Sequence, residues 1–177
     1  MVKVPPRKRT QSAPILALPP PPRVRLPLGD LVAVVRPGDR VSAGSLLARS
    51  PEESPRQSRR HSPLSGVVTA VTDEVMVCGE PGPVREIAPT DGVAAAAREA
   101  GIVGMGGGMF PTYLKLERHP GMPAVDTVIV NGSQSEPYAT SDHRVLVEHR
   151  GEVDRGLALV TNALGAGRGL VVGDDGG

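Results

Sequence analysis

The sequence predicts a chain in two parts, a small all-β module followed by an incomplete α/β domain. Between Val24 and Val84, short Val-rich runs alternate with turn residues such as Pro37-Gly38-Asp39, which is typical of strands. From about Pro89 onward, an apolar run, a helical pattern and a second apolar run follow one another. That order is typical of a parallel βαβ unit.

The β module is predicted over residues 23–85. Residues 1–22, which are basic and then rich in proline, are predicted to be a disordered, solvated tail. The charged stretch Ser50–Ser62 is interpreted as an exposed loop between strands. The strands are expected at the apolar runs Leu31–Val35, Val41, Leu46–Ala48, Val67–Val71 and Val75–Val77.

The α/β part is predicted over residues 86–177. Thr90 or Asp91 is available to cap a helix over Val93–Ala100, and Val125–Val130 is apolar enough for a strand buried on both faces. Helices are predicted over 141–149 and 152–164, separated at Gly151, with Gly165 as a C-terminal cap. The second helix places four apolar residues on one face: Val153, Leu157, Val160 and Leu164. A further strand is predicted to begin at Leu170–Val172.

Composition and charge exclude several classes of function. A net charge of +1 gives no strong field for polyanions, and three aromatic residues are too few for a base-stacking nucleic-acid binder. Because Cys78 is the only cysteine, we expect no iron–sulfur cluster and no structural zinc within this chain. No apolar run is long enough to span a membrane, and no secretory signal is evident, so an intracellular, cytoplasmic protein is expected.

The glycine-rich segment 104-GMGGGMFPT-112 is the first candidate for a functional site. Consecutive glycines let the backbone approach a ligand, and successive N–H groups can form a nest for phosphate. The segment is neither the dinucleotide fingerprint, which needs a preceding strand, nor a P-loop, because Lys115 lies too far away. The pattern alone fits a ligand loop and a simple flexible turn equally well.

A second candidate segment, 131-NGSQSEPYATSD-142, directly follows the predicted buried strand. Ligands of parallel sheets bind beyond the carboxyl ends of the strands, where Asn131, Glu136 and Asp142 supply polar groups. Tyr138 adds a flat face for a planar cofactor. The competing interpretation is a polar connection in which Asp142 favours the start of a helix.

Two long motifs in this order, AGIVGMGGGMFPTYLKL (100–116) and VDTVIVNGSQSEPY (125–138), resemble the RnfC subunit of the Rnf electron-transport complex. They also resemble, more distantly, the flavoprotein subunit of respiratory complex I. The resemblance implies a Rossmann-like α/β domain that binds FMN and NADH. It assigns Phe110 to the nicotinamide side and Lys115 to a phosphate, and it places Asn131 and Glu136 against the flavin or the nucleotide. The full set of implied cofactor-binding residues is Gly104, Gly106, Gly107, Gly108, Phe110, Lys115, Asn131, Glu136 and Tyr138.

The β module is similar to the barrel-sandwich hybrid of the same family, through VVRPGDRVSAGSLLARS (34–50) and HSPLSGVVTAV (61–71). That fold is related to lipoyl and biotinyl carriers, but no lysine lies between residues 9 and 114 to carry such a group. Relatives continue beyond the length of this chain into cysteine clusters, so a truncated form of the α/β domain is expected.

The resemblance implies a module that accepts hydride from NADH on FMN and passes electrons to partner subunits carrying iron–sulfur clusters. It implies no catalytic side chain, while the composition argues against a metal ligand, a nucleic-acid partner and direct insertion into a membrane. The protein is then peripheral to the inner membrane through those partners. Two alternatives stay open, a non-catalytic remnant that docks onto a partner and a fragment similar to flavin-dependent cobalamin reductases.

Overall fold

The computed structural model describes residues 8–86, 90–105, 108–134 and 138–173. The chain divides into two compact units. The β unit spans Pro19–Glu117, and the α/β unit combines Met1–Leu18 with Arg118–Gly177. The glycine-rich segment and the helix before it therefore group with the strands of the β unit.

Seven strands of the β unit form two antiparallel sheets, which agrees with the predicted barrel-sandwich-like module. The four-stranded sheet has the order β1-β7-β6-β3, and the three-stranded sheet has the order β2-β4-β5. The strands are β1 (Arg23–Pro27), β2 (Val32–Ala33), β3 (Arg40–Val41), β4 (Leu46–Arg49), β5 (Arg59–His61), β6 (Ser65–Val71) and β7 (Glu74–Glu80).

The prediction of an unbroken loop over Ser50–Ser62 was wrong at its end, where β5 lies. Arg59–His61 forms a strand because it pairs with β4, Arg49 opposite Arg59 and Leu46 opposite His61. Three polar residues carry no strand signal of their own, so the neighbouring strand decides their conformation.

The core of the β unit is built from Leu and Val, as the composition requires. Leu47, Leu64 and Val68 are fully buried between the sheets, together with Val75 and Val77. On β6 and β7, Gly66 lies opposite Gly79, and a Cβ added at Gly66 would lie 2.1 Å from the carbonyl oxygen of Cys78. The two strands approach so closely there that only glycine fits.

Two short helices complete the β unit, α1 (Val93–Glu99) and α2 (Tyr113–Leu116). Neither Thr90 nor Asp91 caps α1: the helix begins after Gly92, whose φ is 98°, without a side-chain cap. After α1, Gly101 adopts φ 64°. A Cβ there would lie 2.8 Å from the carbonyl oxygen of Arg59, so the end of α1 packs tightly against β5.

The α/β unit contains the predicted order of strand, helix and strand, with two helices between the strands. β8 (Thr127–Gly132) and β9 (Arg168–Gly173) pair in parallel, with Thr127 opposite Arg168. The helices are α3 (Ser141–Glu148) and α4 (Arg150–Leu164). They separate at His149 rather than at the predicted Gly151, and Gly165 ends α4 in the left-handed conformation, as predicted.

The prediction that Val125–Val130 is buried on both faces was wrong. One face of the two strands packs on the helices: Leu146 lies against Gly132, and Leu157 lies against Gly169. On the other face Ile129 is 58% exposed, and its partner Leu170 is also exposed. No element of the described residues covers that face, whereas an apolar run would be expected to be covered on both sides.

The N-terminal segment is not fully solvated where the structure describes it. The backbone N–H of Ile15 donates to the Glu148 carboxylate at 3.0 Å, and Arg144 donates to the carbonyl oxygen of Gln11 at 3.0 Å. The hydroxyls of Thr10 and Thr140 lie 2.7 Å apart. Residues 10–15 therefore follow α3, which supplies partners that the Pro-rich composition does not reveal. Within the described ranges, no helix is both long enough and apolar enough to cross a membrane.

Candidate functional site

The glycine-rich loop is closed at its base by backbone pairing. Val103 and Pro111 form an antiparallel bridge, and the N–H of Gly104 donates to the carbonyl oxygen of Phe110 at 2.9 Å. Among the described residues of the loop, Met105 is 93% exposed and Phe110 is 39% exposed. A loop with a fixed base and exposed side chains is able to contact a ligand.

Two cations flank the ring of Phe110. The Cζ of Arg56 lies 5.6 Å from the ring centroid, and the Nζ of Lys115 lies 5.7 Å from it. Neither cation pairs with a carboxylate among the described residues. A partly exposed aromatic ring with two cations close to it favours a ligand that is both planar and anionic.

Tyr113 holds these groups in place. It is the first residue of α2, is only 3% exposed, and its hydroxyl accepts a hydrogen bond of 2.8 Å from the backbone N–H of Gln57. Gln57 follows Arg56, and Lys115 lies one half-turn after Tyr113 on α2. A single buried side chain therefore joins the segment that carries Arg56 to the helix that carries Lys115.

The described glycines of the loop leave open space beside the backbone. A Cβ added at Gly108 would meet no atom within 4 Å, and one at Gly104 would come no closer than 3.8 Å to any atom. Neither position needs glycine for packing or for a positive φ. The backbone at both positions is therefore open to close contact with a ligand. Gly106 and Gly107 lie outside the described residues.

The second predicted segment belongs to the α/β unit. Asn131 is exposed at the end of β8, and its side-chain oxygen accepts a hydrogen bond of 3.0 Å from the N–H of Ser133. Tyr138 is 51% exposed and has φ 66°, which is uncommon for a residue with a side chain. Glu136 lies outside the described residues. Asp142 is in the first turn of α3, where its charge favours the helix start, as the competing interpretation expects.

Among the predicted site residues, Gly104, Gly108, Phe110 and Lys115 come together within the β unit. Arg56 joins them although sequence reasoning missed it. The polar stretch Ser50–Ser62 contains three arginines, and no sequence pattern distinguishes a ligand-binding arginine among them. Only the tertiary contact with Phe110 therefore identifies Arg56. Within the part of the chain that the structure describes, no three His, Cys, Asp or Glu side chains are placed to hold a metal ion.

His61 lies at the junction of β5 and α1. Two residues before it, Arg59 donates a hydrogen bond of 2.6 Å to the carboxylate of Glu99 in α1. Burial first, and the charge of Arg59 second, lower the pKa of His61 below its ordinary value. The neutral ring is therefore the form that the folded protein prefers.

Comparison with known families agrees with the two-part organisation of the sequence. Residues 2–90 match the family described as the RnfC barrel sandwich hybrid domain, which is half of the chain. The chain belongs to the RnfC family. Residues 97–175 of this RnfC homologue match the family described as the Nuo51 FMN-binding domain, which includes the glycine-rich loop and the Asn131 segment.

Several curated relatives carry names from the same complex. The chain is 33% identical to the C subunit of the ion-translocating oxidoreductase complex of Rhodobacter capsulatus, over 88% of this chain and 34% of that protein. It is 30% identical to the C subunit of the proton-translocating ferredoxin:NAD(+) oxidoreductase complex of Clostridium ljungdahlii, over 93% of this chain and 41% of that protein. The chain thus spans between about a third and two fifths of the length of these two relatives.

Proposed function

We propose that this chain is an electron-transfer module that binds FMN at its glycine-rich loop and accepts hydride from NADH there. The observation that carries the proposal is the loop itself. Gly104 and Gly108 leave open space next to Phe110, and the cationic groups of Arg56 and Lys115 flank that ring. The loop, Phe110 and Lys115 lie inside the match to the Nuo51 FMN-binding domain.

The described residues fit an anionic, planar cofactor. The loop backbone offers close approach, Lys115 and Arg56 offer positive charge for a phosphate, and Phe110 offers a flat surface. By family resemblance, Gly106, Gly107, Asn131, Glu136 and Tyr138 would complete the contacts with the flavin and the nucleotide. A bound flavin would supply hydride acceptance and one-electron transfer, chemistry that no side chain here provides.

In this function the protein itself positions the cofactor and neutralises the negative charge of its phosphate. The positive charges of Lys115 and Arg56 would attract a phosphate and form charge-assisted hydrogen bonds with it, and the backbone pairing at the loop base holds the two ends of the loop together. By resemblance, Phe110 would lie on the nicotinamide side, so removing its ring should weaken the binding of NADH rather than the binding of FMN.

The partners and the location are proposed from the family resemblance, and the names of the relatives, which are subunits of oxidoreductase complexes, support a partner of that kind. Subunits with iron–sulfur clusters would take the electrons, because the single Cys78 cannot ligate such a cluster. The chain would then lie on the cytoplasmic side, peripheral to a membrane through those subunits.

The direct test is an FMN titration of the purified 177-residue chain, followed by the flavin absorption band and by equilibrium dialysis. Gly108→Val should weaken FMN binding by at least about tenfold, because the side chain fills space that the cofactor needs. Gly108→Val is informative because the open space at this position leaves the unliganded fold undisturbed. Gly156→Val, at a glycine of α4 with equally open surroundings, is the matched control and should bind FMN like the parent.

Lys115→Ala should weaken FMN by about 10- to 100-fold, the range that corresponds to one hydrogen bond to a charged group. Phe110→Ala should keep FMN affinity and lose NADH affinity. If the parent binds no FMN, or if Gly108→Val binds it as well as the parent does, the loop is only a turn and the proposal is wrong.

A docking module without flavin chemistry is the second candidate. The uncovered face of β8 and β9, which exposes Ile129, Leu170 and Val172, favours it. Purified protein that lacks a flavin band and takes up no added FMN would support this candidate over the first.

A further inference from the structure

A cavity of about 470 Å³ lies in the β unit beside the glycine-rich loop. Three segments contribute to its walls: the turn after β1 at Gly29–Leu31, the polar segment between β4 and β5, and the residues Gly101, Val103 and Met109. Gly104, Gly108, Phe110 and Lys115 do not line it. Its volume lies within the range of small-molecule pockets.

The charge on the cavity wall is mostly positive. Arg56, Arg59 and Arg60 line it, against Asp30 as the one carboxylate among its described lining residues. Arg59 is held by Glu99 through a hydrogen bond of 2.6 Å, whereas Arg60 has no carboxylate partner in the described part of the chain. Arg56 also reaches the ring of Phe110, so it stands between the cavity and the proposed flavin loop.

Two guanidinium N–H groups at this wall have no acceptor among the described residues. The Nε atoms of Arg59 and Arg60 are both buried, and neither makes a hydrogen bond there. Glu99 fixes the guanidinium of Arg59, so this side chain of the cavity wall is already ordered before any ligand arrives.

We propose that this cavity binds a phosphate-bearing small molecule, with Arg60 as its main cationic contact and Arg59 as an oriented donor. Guanidinium groups match the geometry of phosphate oxygens, and the cavity is larger than a phosphate ion alone requires. Neither Arg59 nor Arg60 belongs to the proposed flavin site, so binding here does not depend on flavin.

The test uses isothermal titration calorimetry of the 177-residue chain at low salt, without flavin, with inorganic phosphate and ADP as probes. Arg60→Gln should lose at least about tenfold in affinity, as expected when charged hydrogen bonds are removed. The control Arg40→Gln removes the same charge from an exposed arginine outside the cavity and should bind like the parent.

The two probes distinguish the source of the phosphate group. If ADP binds more tightly than inorganic phosphate, the ligand is nucleotide-like. If the two bind with equal affinity, the ligand is free phosphate. Either result supports the proposal. Should Arg60→Gln fail to fold, the Nε–H signals of arginine in NMR spectra of the parent provide the second measurement, since two of them should shift on adding ADP. The proposal is overturned if the parent binds neither probe saturably or if Arg60→Gln and Arg40→Gln lose affinity equally.

Discussion

Removing one oxygen atom from Tyr113 should destabilise the β unit measurably. In Tyr113→Phe the ring still fills its buried position, but the backbone N–H of Gln57 loses the acceptor that lies 2.8 Å away. Because Tyr113 is only 3% exposed, water is poorly placed to replace that oxygen. A buried donor that is left without an acceptor costs about 1–3 kcal/mol of stability. Because Gln57 is only partly buried, we expect the free energy of unfolding to fall by about 1–2 kcal/mol.

Urea unfolding followed by far-UV circular dichroism measures this loss. A thermal melt should agree, because each kcal/mol lowers Tm by about 4–8 °C in a domain of about 100 residues. Tyr138→Phe is the matched control, since it removes the same atom from a side chain that is 51% exposed, and it should change stability by less than about 0.5 kcal/mol. Equal stability of Tyr113→Phe and the parent would show that the bond to Gln57 does not hold the Arg56 segment in place.

Two further predictions concern the packing and the pH dependence of the β unit. Leu47→Ala should lower the free energy of unfolding by about 2–5 kcal/mol in a urea titration, because Leu47 is fully buried between the sheets. The control Leu18→Ala removes a leucine side chain that is 85% exposed and should leave this free energy nearly unchanged. The pKa of His61 is lower in the folded protein than its ordinary 6.5, so the unfolded chain binds the proton more readily. The free energy of unfolding should therefore fall as the pH drops from about 7.5 to about 5.5, and a His61→Gln variant that shows the same slope over that window would contradict this assignment. The pKa of Glu148, which its hydrogen bond with Arg144 lowers, lies below that window and leaves the comparison undisturbed.

The strands that sequence reasoning located are those with a strong local signal. The runs Val67–Val71 and Val75–Val77 became the centres of β6 and β7, because alternating valines separated by turn residues favour strand pairing with one face buried. Gly165 ended α4 as predicted, since its left-handed conformation is a property of the local backbone. The parallel order of β8 and β9 follows from the helices that connect them.

Other features depended on contacts between segments far apart in the sequence. Arg59–His61 is a strand only because β4 lies beside it. The helix α1 begins after Gly92, whose φ is 98°, and not at a side-chain cap from Thr90 or Asp91. The exposure of Ile129 depends on which face the helices cover, a choice that the apolar run alone does not contain.

For the candidate site, the sequence by itself indicated the glycine-rich loop through its consecutive glycines, and it indicated Phe110 and Lys115 through the resemblance to the RnfC family, because these residues lie in one continuous motif. Only the tertiary structure added Arg56, which reaches the ring of Phe110 from a loop more than fifty positions earlier in the chain. It also gathered Arg59 and Arg60 around a cavity, with their buried Nε–H donors left without acceptors among the described residues. The physical reason is that local conformation follows from neighbouring residues, whereas the charge and shape of a site follow from which distant side chains the fold brings together.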